Sequence, residues 1–190
     1  NAMVENNIDL PLGIMPAGTS NDFAAYLNLP RNFEACCKII AEGVPVPVDL
    51  GTVNGINFVN VIGGGLLVDV PQKTDLNLKS ILGKLAYYLK GLEQLPNFRP
   101  FKVQINSLGK SINDSVFLFL VLNSSVAGGF AKVAPDAKID DGKLDVLVIK
   151  SCSLPEIVSI FIKLLRGEHL NSPYLDYFQT DEVIISSEQV

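Results

Sequence analysis

At Gly43 the chain changes character, and that change restricts it to two architectures in series. Upstream, apolar residues recur at helical spacing, with Phe33, Cys36, Cys37, Ile39 and Ile40 predicting a helix from about Asn32 to Ala41. Downstream, short β-prone runs alternate with turn signals. Val44 to Val53 and Asn57 to Gly63 flank Asn54-Gly55, and both turn residues accept the positive φ of a tight hairpin. Further strands are expected near Lys102 to Asn106, Ser115 to Asn123, Leu144 to Ile149 and Glu182 to Ser186. A helix from Pro155 to Arg166 interrupts them, with Ile157, Ile160, Phe161, Leu164 and Leu165 as its apolar face. The fold class expected is α/β plus all-β: residues 1–43 form part of an α/β unit, and 44–190 an antiparallel β-sandwich with inserted helices.

Within the first unit, Leu10 to Met15 reads as a strand that runs into the turn Pro16-Ala17-Gly18 and then into a helix starting near Asn21. Strand, glycine turn and helix start form a phosphate-binding arrangement. Gly18 permits close backbone approach, Thr19 offers a hydroxyl, and the first helical N–H groups lack intrahelical partners. The plainer reading is that Ser20 or Asn21 caps the helix carrying Phe23, Tyr26 and Leu27.

Several function classes are excluded by what the chain lacks. A single histidine, His169, leaves no material for a histidine-based zinc site or a Ser-His-Asp triad. Three cysteines, two of them adjacent at Cys36 and Cys37, form neither a disulfide framework nor a metal spacing. A net charge of −5 without a basic cluster argues against nucleic acid as a partner. No run reaches the roughly 18 to 20 apolar residues of a membrane span, and no signal-peptide pattern opens the chain. The expectation is a soluble, cytoplasmic protein.

Three more segments invite a chemical reading. Gly63-Gly64-Gly65 allows close backbone approach but lacks a dinucleotide or Walker pattern, which favours a packing role. Lys79, Lys84 and Lys90 interleave with Leu78, Ile81, Leu82, Leu85, Tyr88 and Leu89, predicting an amphipathic helix whose cationic side is either solvated or set against a membrane. Between Ala134 and Asp145, four carboxylates (Asp136, Asp140, Asp141, Asp145) surround Gly142. Such a loop can hold a hard cation, although its spacing is not that of an EF-hand, and spacing alone favours a plain Asp-Gly turn with the other acids solvated.

Pro16-x-Gly18-Thr19-x-Asn21-Asp22-Phe23-Ala24 resembles a signature of the bacterial diacylglycerol-kinase-like lipid kinases, relatives of sphingosine kinases and of diacylglycerol kinase catalytic domains. Pro135-x-Ala137-x-x-Asp140-Asp141-Gly142-x-Leu144-Asp145-Val146 is similar to a second motif of that family, in the right order. Val48-Asp49-Leu50-Gly51 and Leu82-Gly83-Lys84-Leu85-Ala86-Tyr87-Tyr88 between them are also similar, so the likeness runs over essentially the whole chain. It implies an ATP-binding α/β domain followed by a β-sandwich, with ATP and substrate meeting in the cleft. Gly18, Thr19, Asn21 and Asp22 become candidate ATP-binding residues, with Thr19 the direct contact. The resemblance also implies a structural magnesium ion held by Asp141 beside the main-chain carbonyls of Lys138 and Lys143.

The implied reaction is transfer of the ATP γ-phosphoryl group to a lipid hydroxyl such as that of diacylglycerol, at the inner face of a membrane. The family's Gly-Gly-Asp-Gly-Thr loop and its Asp-Gly-Glu segment, which carries the catalytic Asp, do not occur in this sequence. No catalytic residue is therefore assigned, and Asp181-Glu182, in a strand-like run without the glycine, is not promoted to that role. The chain reads as an inactive fragment. Two rival readings stay open, a non-catalytic lipid-binding module and a kinase of the same fold acting on a small non-lipid molecule. A homodimer is also compatible with the apolar surface that Leu10 to Met15 and Phe23 would expose.

Overall fold

The computed structural model describes residues 1–65 and 99–187. Among the described residues, those before residue 43 form helices only, and the strands follow residue 50 with one longer helix among them. The helices are α1 (Ala2–Glu5), α2 (Asp22–Tyr26) and α3 (Phe33–Glu42), the last N-capped by Asn32, whose side chain accepts from the Ala35 N–H at 2.9 Å. The strands are β1 (Gly51–Val53), β2 (Ile56–Phe58), β3 (Val61–Gly65), β4 (Phe101–Ser107), β5 (Lys110–Leu122), β6 (Leu144–Lys150), β7 (Leu175–Thr180) and β8 (Val183–Ser187). Helix α4 (Leu154–Arg166) joins β6 to β7.

Among the described residues every strand pairing is antiparallel. β1 and β2 form a hairpin whose turn residues Asn54 and Gly55 have φ of 49° and 81°, as their types predict. The larger sheet runs β7-β6-β5-β4-β8 and is organised by β5. One half of that strand pairs with β4, the other half with β3, and its opposite edge carries β6. Side chains alternate across this sheet, so it builds two cores. Leu122, Leu147 and Leu175 pack with Ile160 of α4 and with Val133, Ala134 and Ala137 on one face. Val103, Ile105, Val116, Val121, Val146 and Val148 fill the other. β6, buried on both faces from Asp145 to Val148, reads from Leu144 to Ile149 as the continuous apolar run expected of such a strand, except for Asp145.

Several sequence expectations are corrected. Leu10 to Met15 forms no strand; among the described residues no strand lies beside it, and an extended segment becomes a strand only when its ladder is paired. Of Val44 to Val53, only Gly51–Val53 pairs, because Pro45 and Pro47 remove two ladder donors. The expected strand from Asn57 to Gly63 breaks at Val59-Asn60 into β2 and β3. Gly63-Gly64-Gly65 lies within β3, against β5. Asp181 and Glu182 occupy the turn between β7 and β8, where the Thr180 hydroxyl donates to the Glu182 carbonyl at 2.7 Å. β7 was not anticipated at all. The amphipathic segment around Lys79 to Lys90 lies outside the described residues.

Candidate functional site

The Gly18 loop closes on itself. Its N–H donates to Asn21 Oδ1 at 2.7 Å, and Asn21 Nδ2 donates back to the Gly18 carbonyl at 2.6 Å. A side chain at position 18 would bring its Cβ to 3.1 Å from Asn21 Oδ1, so glycine serves this bracket. Asn21 holds the N-cap position of α2 with φ of 53°, a left-handed conformation that asparagine tolerates, and its side chain serves the loop instead of the helix. The Gly18 N–H is thus occupied in this conformation, whereas Thr19 is exposed and, among the described residues, no hydrogen bond engages its hydroxyl. The Thr19 hydroxyl is therefore open to solvent at the tip of this loop.

Asp22 points away from that loop toward the sandwich. Its two carboxylate oxygens accept from the Gly128 and Gly129 N–H groups at 2.7 and 2.9 Å. Glycine φ values of 60° and 79° present the two amides side by side, a concave pair suited to a carboxylate. One turn along α2, the Tyr26 hydroxyl lies 3.5 Å from the Ala137 carbonyl. The helix that begins at the candidate Asp22, with Asn21 at its N-cap, is thereby fastened to the loop between β5 and β6.

The same loop carries the cation candidates. Asp141 Oδ1 accepts from the Lys143 N–H at 3.1 Å, and Gly142, at φ of 70°, donates its N–H to Asp49 Oδ2 at 2.7 Å. Lys138, Asp141 and Lys143 are all exposed. Among the described residues no three His, Cys, Asp or Glu side chains converge to hold a metal. A cation here would instead take one carboxylate and main-chain carbonyl oxygens, an all-oxygen set that suits Mg²⁺ and leaves positions for water. The donor set and the accessibility of the turn fit the ion.

Beneath the turn lies a polar cluster with little sequence signal. Asp145 is 1% exposed; the Tyr177 hydroxyl and Gln179 Nε2 both donate to its carboxylate. Burial pushes its carboxyl above the usual range, partly offset by those two hydrogen bonds, and the charges of Asp141 and Asp136 push the same way as burial. Tyr177 is raised in turn, by burial first and then by the Asp145 carboxylate. Asn123 and Ser124, both fully buried, close the near end of the loop; Asn123 Nδ2 donates to the carbonyls of Asp49 and Val59 at 2.8 and 2.9 Å. The sole signal for them was polar residues ending an apolar strand.

Gly63 and Gly64 answer to packing. A Cβ at Gly63 would sit 2.6 Å from the Phe119 carbonyl, and one at Gly64 would sit 2.6 Å from the Phe119 ring.

Residues 60–190 match the family described as the YegS C-terminal NAD kinase beta sandwich-like domain, and residues 1–53 match the diacylglycerol kinase catalytic domain. The chain belongs to the diacylglycerol-kinase-like family. Its similarity to the diacylglycerol kinase of Bacillus subtilis (strain 168) is 40% identity over 176 residues, covering 92% of this chain and 58% of the relative. With the diacylglycerol kinase of Staphylococcus carnosus (strain TM300) it shares 35% identity, covering 98% and 61%. A crystal structure of a diacylglycerol kinase from Bacillus anthracis str. Sterne superposes with a TM-score of 0.73 at 30% identity, covering 96% of this chain and 59% of that one. The chain thus spans about three-fifths of the length of these family members. No helix among the described residues is long and apolar enough to cross a membrane.

Proposed function

We propose that this chain supplies part of the nucleotide site and the cation site of an ATP-dependent lipid kinase, which phosphorylates a lipid hydroxyl such as that of diacylglycerol. The observation that carries the reading is that both candidate sites are fastened to one loop, the segment between β5 and β6. Asp22 ties the Thr19 loop to Gly128 and Gly129, and Asp49 ties the Asp141 turn through Gly142. Phosphoryl transfer depends mainly on holding charges in place, which a shared rigid support provides.

In this reading Thr19 offers its hydroxyl to the nucleotide, and the Gly18–Asn21 bracket fixes that hydroxyl's height above α2. Asp141, with the carbonyls of Lys138 and Lys143, would hold Mg²⁺. A bound magnesium ion would lend positive charge and rigidity to the turn. Asp22 orients the Thr19 loop against the sandwich without facing the phosphates. The proton-accepting group for the lipid hydroxyl is not assigned to any residue of this chain. Lipid and a peripheral membrane surface are the partners the reading requires, with the cytoplasmic face of the membrane as its location.

The test is transfer of ³²P from ATP in Mg²⁺ to diacylglycerol, sphingosine or undecaprenol in mixed micelles, using the full-length gene product. Labelling of one lipid is expected, with a fall of about 10- to 100-fold in Thr19→Ala and in Asp141→Ala. No transfer with ATP binding retained would move the reading to a non-lipid acceptor. Loss of both would leave a binding module.

A further inference from the structure

We propose that Asn123 is a positioning residue for the cation turn, acting on it through Asp49. The proposal rests on the reading that Asp141 and its neighbouring carbonyls hold Mg²⁺, and it adds a residue 18 positions away that no part of that reading includes.

Asn123 is 0% exposed, and its side-chain amide has one permitted orientation. Nδ2 donates to two carbonyls, those of Asp49 and Val59; a flipped amide would set Oδ1 against both oxygens. Oδ1 itself finds no partner among the described residues, so the orientation is kept at the expense of a buried acceptor. The main chain is equally fixed, since the Asn123 N–H donates to the Asn60 carbonyl at 2.8 Å. One side chain therefore gathers the two ends of the β1–β2 hairpin onto the end of β5.

Asp49 stands at the first of those ends. Its N–H donates to the Ile139 carbonyl at 2.6 Å and its carbonyl accepts from Asn123, which leaves its backbone little freedom. So held, its carboxylate meets the Gly142 N–H at 2.7 Å. Gly142 follows Asp141 directly, and the Lys143 N–H that steadies Asp141 comes next. Without the Asn123 amide, the Asp49 carbonyl loses its donor, the Gly142 anchor loosens, and Asp141 loses its orientation toward the ion.

The experiment is Mg²⁺ titration calorimetry on the 190-residue chain, with circular dichroism confirming the fold of each variant. Asn123→Ala is expected to weaken Mg²⁺ binding about tenfold, as removal of an outer-shell partner does. The double variant Asn123→Ala/Asp49→Ala should bind no more weakly than Asp49→Ala alone, because residues acting in series are not additive. Unchanged affinity in folded Asn123→Ala, or losses that add in the double variant, would overturn the proposal.

Should Asn123→Ala fail to fold, hydrogen exchange on the unaltered protein decides. Mg²⁺ is expected to slow exchange of the Asn123 side-chain amide together with the Gly142 N–H, by reciprocity of coupling. An Asn123 amide indifferent to Mg²⁺ overturns the link. Absence of Mg²⁺ binding in the unaltered chain overturns it as well, and is distinguishable from failure of the lipid kinase reading, which the phosphotransfer assay measures separately.

Discussion

His169 shows how a residue excluded from catalysis still shapes the molecule. It is 1% exposed, with Nε2 2.9 Å from the Val133 carbonyl. A carbonyl only accepts, so Nε2 carries the proton, and Nδ1 has no partner among the described residues. Burial therefore holds its pKa below the ordinary histidine value. A group depressed on folding contributes stability above its unfolded pKa of about 6.5, and that contribution is lost as pH falls through the folded value. The urea midpoint is expected to drop between pH 7.5 and 5, and to drop less in His169→Gln. Equal pH slopes in the two proteins would contradict this. Sequence alone assigned His169 no role, because the partner it finds among the described residues lies 36 residues away.

Among the elements, the glycines separate two kinds of constraint. Gly55 sits in the β1–β2 turn at φ of 81° with nothing within 4 Å of an added Cβ, so Gly55→Ala meets only backbone strain, about 1 kcal/mol. Gly63 lies inside β3, where a Cβ would press on the main chain of Phe119; Gly63→Ala should cost more, about 1–3 kcal/mol, by forcing β3 off β5. Thermal unfolding of the two variants ranks them, and the reverse order would refute the packing role of Gly63. The turn was legible because Asn-Gly states its own geometry, and β4, β5, β6 and α4 were legible because apolar spacing does. β7 was not, since Asp176 and Gln179 read as loop residues until Lys110 and Lys150 are seen 3.4 and 3.2 Å from the Asp176 carboxylate and Gln179 is seen donating to Asp145. Likewise, the Asp141 turn was visible in sequence, whereas its tie to Asp49 spans 93 residues and carries no local mark.

At the scale of the molecule, two unequal parts meet along a polar seam. The sheet has two buried cores, but of α1, α2 and α3 only Ala24 and Cys36 are buried, while Leu10, Leu12, Phe33 and Val46 remain exposed. Residues 8–42 therefore bury little apolar surface of their own, and their attachment to the sandwich relies on few contacts, with Asp22 supplying two charge-assisted hydrogen bonds. Local opening free energy follows buried contact, so this part should open well before β4, β5 and β6 do. Asp22→Ala removes both bonds and leaves the Gly128 and Gly129 amides without that acceptor. Amides that α2 and α3 protect should then exchange about 10- to 100-fold faster, as expected for losing roughly 1.5–3 kcal/mol of charge-assisted bonding. Amides of β5 and β6 should be unchanged. Hydrogen exchange read by mass spectrometry checks the contrast: uniform acceleration would mean that Asp22 supports the whole fold, and no acceleration would mean that apolar contact alone carries the seam.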